Sequence, residues 1–211
     1  MASARHPQRT RAYGQGRAPT AVDRLGVWLS GAAVRRHADL RGKRLGDLGC
    51  GFEATLARGA LEVVDGAVLV DLALADDLKR DPRVRAIEGP LPESLGSLES
   101  DALDVVACLS VLEHVTEPQR LLDEIHRLLA PGGVALINVP TWLGKAFLEL
   151  SAFRLGLSPK EEMNDHKRYY DPRDLWPMLV DAGFRPSEIR CRRHKLGLNT
   201  FAVCRLPGAP R

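Results

Sequence analysis

Short, largely apolar runs alternate with longer amphipathic stretches along most of this chain. An apolar run of a few residues bounded by turn residues is typical of a buried strand, whereas apolar positions three and four apart are typical of one helix face. Between residues 44 and 139 the pattern predicts strands at Arg44–Leu48, Ala67–Val70, Val84–Ile87, Leu103–Leu109 and Val134–Val139.

The intervening patterns and the C-terminal end define the predicted architecture. Two further strands, Ile189–His194 and Asn199–Cys204, are joined by a connection so short that they must pair antiparallel. Strands that alternate with helices are typical of an α/β fold. The sequence predicts a doubly wound, Rossmann-like, mostly parallel sheet with an antiparallel C-terminal strand and helices on both faces. The helical patterns cover residues 20–39, 52–60, 76–80 and 121–129.

Length and composition indicate one globular domain. The chain has 211 residues, of which 45% are hydrophobic and 27% charged, with a net charge of +3; these shares are ordinary for a folded protein. Residues 1–19 carry only basic charges and contain helix-breaking glycines, so we predict a disordered basic tail that folding does not require. Residues 20–211 then form the single domain.

Several classes of protein are disfavoured by what the sequence lacks. No run reaches the ~18–20 apolar residues that span a bilayer, and the basic N-terminus has no apolar signal core. The cysteines form no C-x-x-C pair, which argues against zinc and favours reduced thiols in a cytoplasmic protein. They are Cys50, Cys108, Cys191 and Cys204.

A glycine turn after the first strand is the main candidate for ligand binding. Gly49 and Gly51 allow positive φ and a close approach of a ligand, and Asp47 points a carboxylate at the same turn. Such a turn suits a ligand with both an anionic and a cationic end. The stretch also fits the dinucleotide fingerprint G-x-G-x-x-[GA], with Asp71 where a ribose-binding acid is expected. A glycine turn without a ligand is the third alternative.

Three motifs together resemble class I S-adenosylmethionine (SAM)-dependent methyltransferases, in particular the ubiquinone/menaquinone-biosynthesis type. They are Asp47-Leu48-Gly49-Cys50-Gly51, the segment from Leu103 that ends in Leu112-Glu113-His114-Val115, and Leu129-Ala130-Pro131-Gly132-Gly133. The family's usual third glycine is Glu53 here. The resemblance implies SAM as cofactor. The cofactor-binding residues it implies are Asp47, Gly49, Cys50, Gly51, Asp71, Leu72, Pro90, Leu91, Leu109 and Ser110.

The resemblance also implies where the methyl acceptor binds. An insertion over residues 141–170 follows the fifth strand, and we expect its Trp142, Phe147 and Tyr169 to bind substrate. His166 is our predicted general base, with His114 as the second catalytic candidate. Some relatives bind a divalent metal through an acid where Ser110 stands in this chain, so we predict no metal.

The predicted function is methyl transfer to a small molecule, with a hydroxyl of a sugar or secondary metabolite as the expected acceptor. Two alternatives stay open: an RNA methyltransferase or RNA-binding module that uses the basic tail, and a catalytically inactive SAM-binding partner subunit. We expect no membrane partner. Nucleic acid is not the expected partner either, because the N-P-P-[YF] motif of base-methylating enzymes is absent and no interleaving of aromatic and basic residues marks a single-strand binding surface. A homodimer is left open.

Overall fold

A seven-stranded sheet is the centre of the molecule. The computed structural model describes residues 11–16, 20–147 and 168–208. The strands are β1 Arg44–Leu48, β2 Gly66–Asp71, β3 Val84–Glu88, β4 Leu103–Leu109, β5 Leu129–Pro140, β6 Ile189–His194 and β7 Asn199–Arg205. They lie in the order β3-β2-β1-β4-β5-β7-β6.

The strand directions confirm the predicted topology. Strands β1 to β5 pair parallel to one another, whereas β7 pairs antiparallel with both β5 and β6. The order reverses between β1 and β4, which is the switch point where doubly wound sheets bind ligands beyond the carboxyl ends of their strands. Leu48 ends β1 and Leu109 ends β4, so the loops after these two strands meet at that edge.

Helices cover both faces of the sheet, as predicted. The helices are α1 Ala21–His37, α2 Thr55–Arg58, α3 Asp76–Arg80, α4 Pro118–Leu128 and α5 Pro172–Asp181. One core packs α1, α2 and α3 against one face, and a second core packs α4, α5 and a 3₁₀ segment against the other. Three 3₁₀ segments, Glu93–Ser97, Pro186–Glu188 and Lys195–Gly197, and a helical segment over residues 142–147 complete the described structure.

The predicted helix over residues 52–60 is wrong in its extent, since α2 has only four residues. Its first half is occupied by a turn: Gly51 has a φ of 75° and Ala54 a φ of 40°, both left-handed. A left-handed residue cannot continue a right-handed helix, so the helix begins only at Thr55. The turn after β1 is therefore longer than the apolar pattern indicated.

None of the helices in the described part of the chain combines the length and apolar character needed to cross a bilayer.

Candidate functional site

The glycine turn after β1 has the tight, left-handed geometry that its sequence predicts. Gly49 and Gly51 have φ values of 70° and 75°. A Cβ on Gly49 would lie 2.3 Å from the Val111 side chain, so only glycine lets the loop after β4 approach the turn. The turn and that loop thereby form one continuous wall at the carboxyl edge of the sheet.

The backbone amides of this turn are already used inside the protein. The amides of Gly49 and Cys50 donate to the carbonyl of Val70 at 2.7 and 3.4 Å. The Gly51 amide donates to Asp71 Oδ2 at 2.7 Å. A pyrophosphate site needs free amides at the start of a long helix, whereas these amides are paired and α2 has four residues. The geometry argues against the dinucleotide alternative.

Asp47 is a buried carboxylate at the end of β1. Its side chain is 3% exposed, and its Oδ2 atom has no hydrogen-bond partner within the described residues. Burial raises the pKa of Asp47 to about 7, a backbone hydrogen bond from Ala57 opposes this, and the negative charge of Asp71 adds to it. A buried acid of this kind gains most from a cationic ligand.

Asp71 lies at the end of β2, directly across the turn. Its Oδ2 accepts the Gly51 amide, and its Oδ1 accepts the Leu72 amide at 2.7 Å. These bonds fix the carboxylate at the carboxyl edge of the sheet. The amide of Gly89 donates to the carbonyl of Asp71 at 2.9 Å, which brings the loop after β3 to the same edge.

The remaining predicted cofactor residues lie around this edge. Ser110 follows β4 with a φ of 59°, and its amide donates to the carbonyl of Asn138 at 2.7 Å. Burial raises the pKa of Cys50, so this residue is a neutral thiol that packs beside the turn. Leu72, Leu91 and Leu109 are half-buried, whereas Pro90 is exposed.

Residues 11–16, which we expected in a disordered tail, instead lie against the glycine turn. The Phe52 amide donates to the carbonyl of Tyr13 at 2.8 Å, and Ala12 is 4% exposed. A Cβ on Gly51 would lie 3.2 Å from that carbonyl oxygen. No periodic pattern along the chain predicts this contact, because it joins two irregular segments. Residues 1–10 and 17–19 of the predicted tail lie outside the described residues.

The predicted acceptor residues are only partly brought together. Trp142 and Tyr169 have ring centroids 5.5 Å apart, and Lys145 Nζ lies 6.0 Å from the Tyr169 ring centroid. These residues line an open cavity of about 430 Å³, whose other lining residues are Arg168, Tyr170, Asp174 and Met178. The Tyr170 amide donates to the carbonyl of Pro140 at 2.9 Å, which fixes the cavity beside the end of β5.

Other candidates are placed differently. Phe147 is 50% exposed and is not among the lining residues of that cavity. His114 is half-buried in the loop after β4, where its amide donates to the carbonyl of Val111 at 2.9 Å. His166 lies outside the described residues.

The topology of the sheet and the glycine turn at its carboxyl edge are those of a class I SAM-dependent methyltransferase. The chain belongs to the methyltransferase-domain family, since the family model described as "Methyltransferase domain" matches residues 17–189. It is 27% identical over 184 residues to a ubiquinone biosynthesis O-methyltransferase of Neisseria meningitidis, covering 80% of this chain and 74% of that protein. A protein of the same description from Pseudomonas syringae is 29% identical over 164 residues, covering 74% and 70%.

Solved structures with the same fold include the methyltransferase bound to the Trm112 activator of Haloferax volcanii. That comparison gives a TM-score of 0.69 at 15% identity and covers 88% of this chain and 92% of the other. The 1,6-didemethyltoxoflavin-N1-methyltransferase of Burkholderia thailandensis, solved with S-adenosylhomocysteine (SAH), gives 0.62 at 20% identity and covers 88% and 80%. At these identities the likeness is one of fold.

Proposed function

We propose that this SAM-dependent methyltransferase transfers the methyl group to a hydroxyl on the aromatic ring of a small molecule. The observation that carries the proposal is the cavity beside the end of β5, where Trp142 and Tyr169 present aromatic faces next to Lys145. Its other lining residues include the charged Arg168 and Asp174, so the cavity combines aromatic walls with polar groups, as sites for ring-shaped ligands do. The relatives named for ubiquinone biosynthesis support the same acceptor class, and for this reason we propose an aromatic hydroxyl in place of a sugar hydroxyl.

We propose that the two carboxylates at the carboxyl edge of the sheet bind different parts of the cofactor. Asp47 would pair with the ammonium of the methionine part, and Asp71 would accept hydrogen bonds from the ribose hydroxyls. Their combined negative charge favours a cofactor that carries a sulfonium and an ammonium. The residues proposed to complete the cofactor site are Gly49, Cys50, Gly51, Leu72, Pro90, Leu91, Leu109 and Ser110.

The methyl group of SAM is already activated, so the main requirement on the protein is to align the reacting atoms. The acceptor oxygen, the methyl carbon and the sulfur must lie in line, and water must be excluded. An un-ionised hydroxyl also requires a group that accepts its proton, for which His166 remains our prediction and His114 the second candidate.

Replacing Asp71 with alanine is expected to weaken SAH binding at least about tenfold, because a hydrogen bond to a charged group contributes ~1.5–3 kcal/mol. The Gly51 amide would lose its acceptor in the same change. Isothermal titration with SAH measures the effect. Asp76→Ala is the matched control, since that carboxylate is 73% exposed and outside the proposed site. If Asp71→Ala bound SAH as tightly as the wild type, Asp71 would not be part of the cofactor site.

Deleting residues 1–19 is expected to weaken SAH binding about three- to tenfold, which is the loss that one neutral hydrogen bond accounts for. The Phe52 amide would lose its hydrogen-bond acceptor, the Tyr13 carbonyl, and residues 11–16 would no longer pack against the glycine turn. Deleting only residues 1–10 is the control, because it retains this contact. If both deletions bound SAH like the full chain, residues 11–16 would have no part in cofactor binding.

The acceptor class is tested by incubating the chain with ¹³C-methyl-labelled SAM and three acceptors: a catechol, a hexose and a short RNA. Mass spectrometry of each acceptor is expected to show label on the catechol oxygen alone. Label on the hexose or RNA, with none on the catechol, would contradict the proposed acceptor. Binding of SAH without label on any acceptor would favour an inactive partner subunit.

A further inference from the structure

Residues 11–16 form a compact segment that lies against the glycine turn, and we call this segment the N-terminal strap. Its backbone folds back on itself, since the Gln15 amide donates to the carbonyl of Ala12 at 3.1 Å and the Ala12 amide donates to Gln15 Oε1 at 3.2 Å. The strap precedes residue 17, at which the match to the family model begins. It is therefore a feature of this chain beyond the matched domain.

Tyr13 occupies the space in which a side chain at position 51 would lie. A Cβ on Gly51 would be 3.2 Å from the Tyr13 carbonyl oxygen, 3.5 Å from Cδ1 of the Tyr13 ring and 3.7 Å from Tyr13 Cβ. The backbone and the ring of Tyr13 therefore both pack on this glycine. Gly51 also has a φ of 75°, which other residues rarely adopt. The second glycine of the turn is thus required by the strap as well as by the turn itself.

The contact of the strap extends through the turn to the proposed ribose-binding acid. The Phe52 amide donates to the Tyr13 carbonyl at 2.8 Å, and the preceding amide, that of Gly51, donates to Asp71 Oδ2 at 2.7 Å. The Phe52 carbonyl accepts the Ala75 amide at 3.0 Å, which ties the same residue to the loop after β2. Peptide groups are planar, so fixing the Phe52 amide restricts the orientation of the Gly51 amide. Strap docking therefore favours the arrangement in which Asp71 is held at the carboxyl edge.

Only part of the strap's surface is buried against the turn. Ala12 is buried, whereas Tyr13 and Gln15 are half-buried and Arg11 is exposed. A segment that buries little apolar surface opens locally at a free energy well below that of global unfolding. The equilibrium between the docked and the open strap is therefore within the range that a ligand of the glycine turn can shift.

We propose that docking of the N-terminal strap and binding of the cofactor stabilise each other, with Tyr13 as the positioning residue that couples them. This inference rests on the proposed function, since it takes SAM as the ligand of the glycine turn. The docked strap holds Gly51 and Asp71 in the arrangement that binds the ribose. By thermodynamic linkage, the factor by which the strap raises cofactor affinity is also the factor by which the cofactor favours the docked strap. Displacement of the strap thus lowers cofactor affinity while every residue that contacts the cofactor stays the same.

Trypsin cleavage after Arg11 measures strap docking in the full chain. Arg11 is exposed but Ala12 is 4% exposed, so the bond between them enters the protease only when the strap leaves the turn. When opening is fast compared with cleavage, the cleavage rate follows the population of the open form. Mass spectrometry follows the fragment that begins at Ala12, with and without saturating SAH. We expect SAH to slow this cleavage about three- to tenfold, the same factor by which deletion of residues 1–19 weakens SAH binding.

Point variants of the strap test the role of the Tyr13 ring. Tyr13→Ala removes the ring that packs on Gly51 and leaves the backbone carbonyl in place. We expect Tyr13→Ala to speed the cleavage after Arg11 without SAH and to weaken SAH binding, each by about threefold, because part of the packing is lost. Tyr13→Phe keeps the ring atoms that contact the turn and should keep most of both effects. Arg11→Gln is the matched control: it should bind SAH like wild type, and it lacks the cleavage site, which identifies the fragment.

Three outcomes would overturn the proposal and differ in what else they imply. If SAH binds the wild-type chain but leaves the cleavage after Arg11 unchanged, the strap and the cofactor are not coupled, while the cofactor assignment stands. If SAH speeds the cleavage, the strap competes with the cofactor for the glycine turn, and the sign of the proposed coupling is wrong. If SAH does not bind the wild-type chain, both the proposed function and the role of Tyr13 fail.

Discussion

Replacing Asp47 with asparagine is expected to weaken SAH binding about 10- to 100-fold at pH 8, the loss of a charge-assisted hydrogen bond worth ~1.5–3 kcal/mol. Asp47 is 3% exposed, and its Oδ2 atom has no partner within the described residues. Asparagine keeps the size of the side chain but cannot neutralise the ammonium of the cofactor. Titration calorimetry with SAH measures the loss directly.

The proposed role of Asp47 also predicts how the SAH affinity of the wild-type protein changes with pH. Burial raises the pKa of Asp47 from 3.8 to about 7, so the carboxyl is largely protonated at pH 6 and largely ionised at pH 8. The cofactor's ammonium pairs with the ionised form. SAH affinity should therefore rise between pH 6 and 8, by at most about tenfold per pH unit, and level off above that range. In Asp47→Asn this rise should be absent.

The stability of the free protein should fall over the pH range in which its SAH affinity rises. A carboxyl whose folded pKa is raised stabilises the fold below its unfolded pKa of 3.8, and this contribution is lost as the pH rises through about 7. At pH 8 the ionised, buried Asp47 destabilises the free protein by up to about 4 kcal/mol. Asp47→Asn should therefore unfold at a higher temperature than wild type at pH 8. Asp101→Asn, at an exposed position, is the control. A variant that bound SAH like wild type at pH 8 would contradict the role of Asp47.

Replacing His166 with alanine is expected to lower turnover ~10²–10⁴-fold, the usual contribution of a general base, with SAH affinity unchanged. His114→Ala is the paired variant and should mainly alter stability or cofactor binding, because His114 is half-buried in the loop after β4. Turnover with the labelled acceptor and SAH titration are measured for both. If His114→Ala lost turnover and His166→Ala kept it, His114 would be the general base and His166 would not. If neither variant lost turnover, positioning and the ionisation of the acceptor would carry the reaction without a histidine base.

The sequence predicted the sheet well because buried strands have a local signature. β1 and β4 have the predicted bounds, since apolar runs in a sheet covered on both faces end where the polar turns begin. The edge strand β6 also has the predicted bounds, although only Ile189 of it is buried. The glycine turn was recognisable for a related reason. Positive φ at Gly49 and Gly51 is a local requirement that the residue type itself expresses.

What the sequence could not supply are contacts between segments distant in the chain. The Phe52 amide donates to the carbonyl of Tyr13, and the Thr141 hydroxyl donates to the carbonyl of Gly197, without any periodic pattern in either case. The helix predicted over residues 52–60 was too long because Ala54, a good helix former, adopts a left-handed φ within the longer turn. The cavity beside the end of β5 is likewise built from residues far apart in the chain, such as Trp142 and Tyr169, whose ring centroids lie 5.5 Å apart.

The central claim is that the glycine turn holds SAM, and the most direct measurement is a calorimetric titration of the full chain with SAH and, separately, with NADH. The paired amides of Gly49, Cys50 and Gly51 and the buried carboxylate of Asp47 predict one-to-one binding of SAH and no binding of NADH. Binding of NADH without binding of SAH would contradict the account.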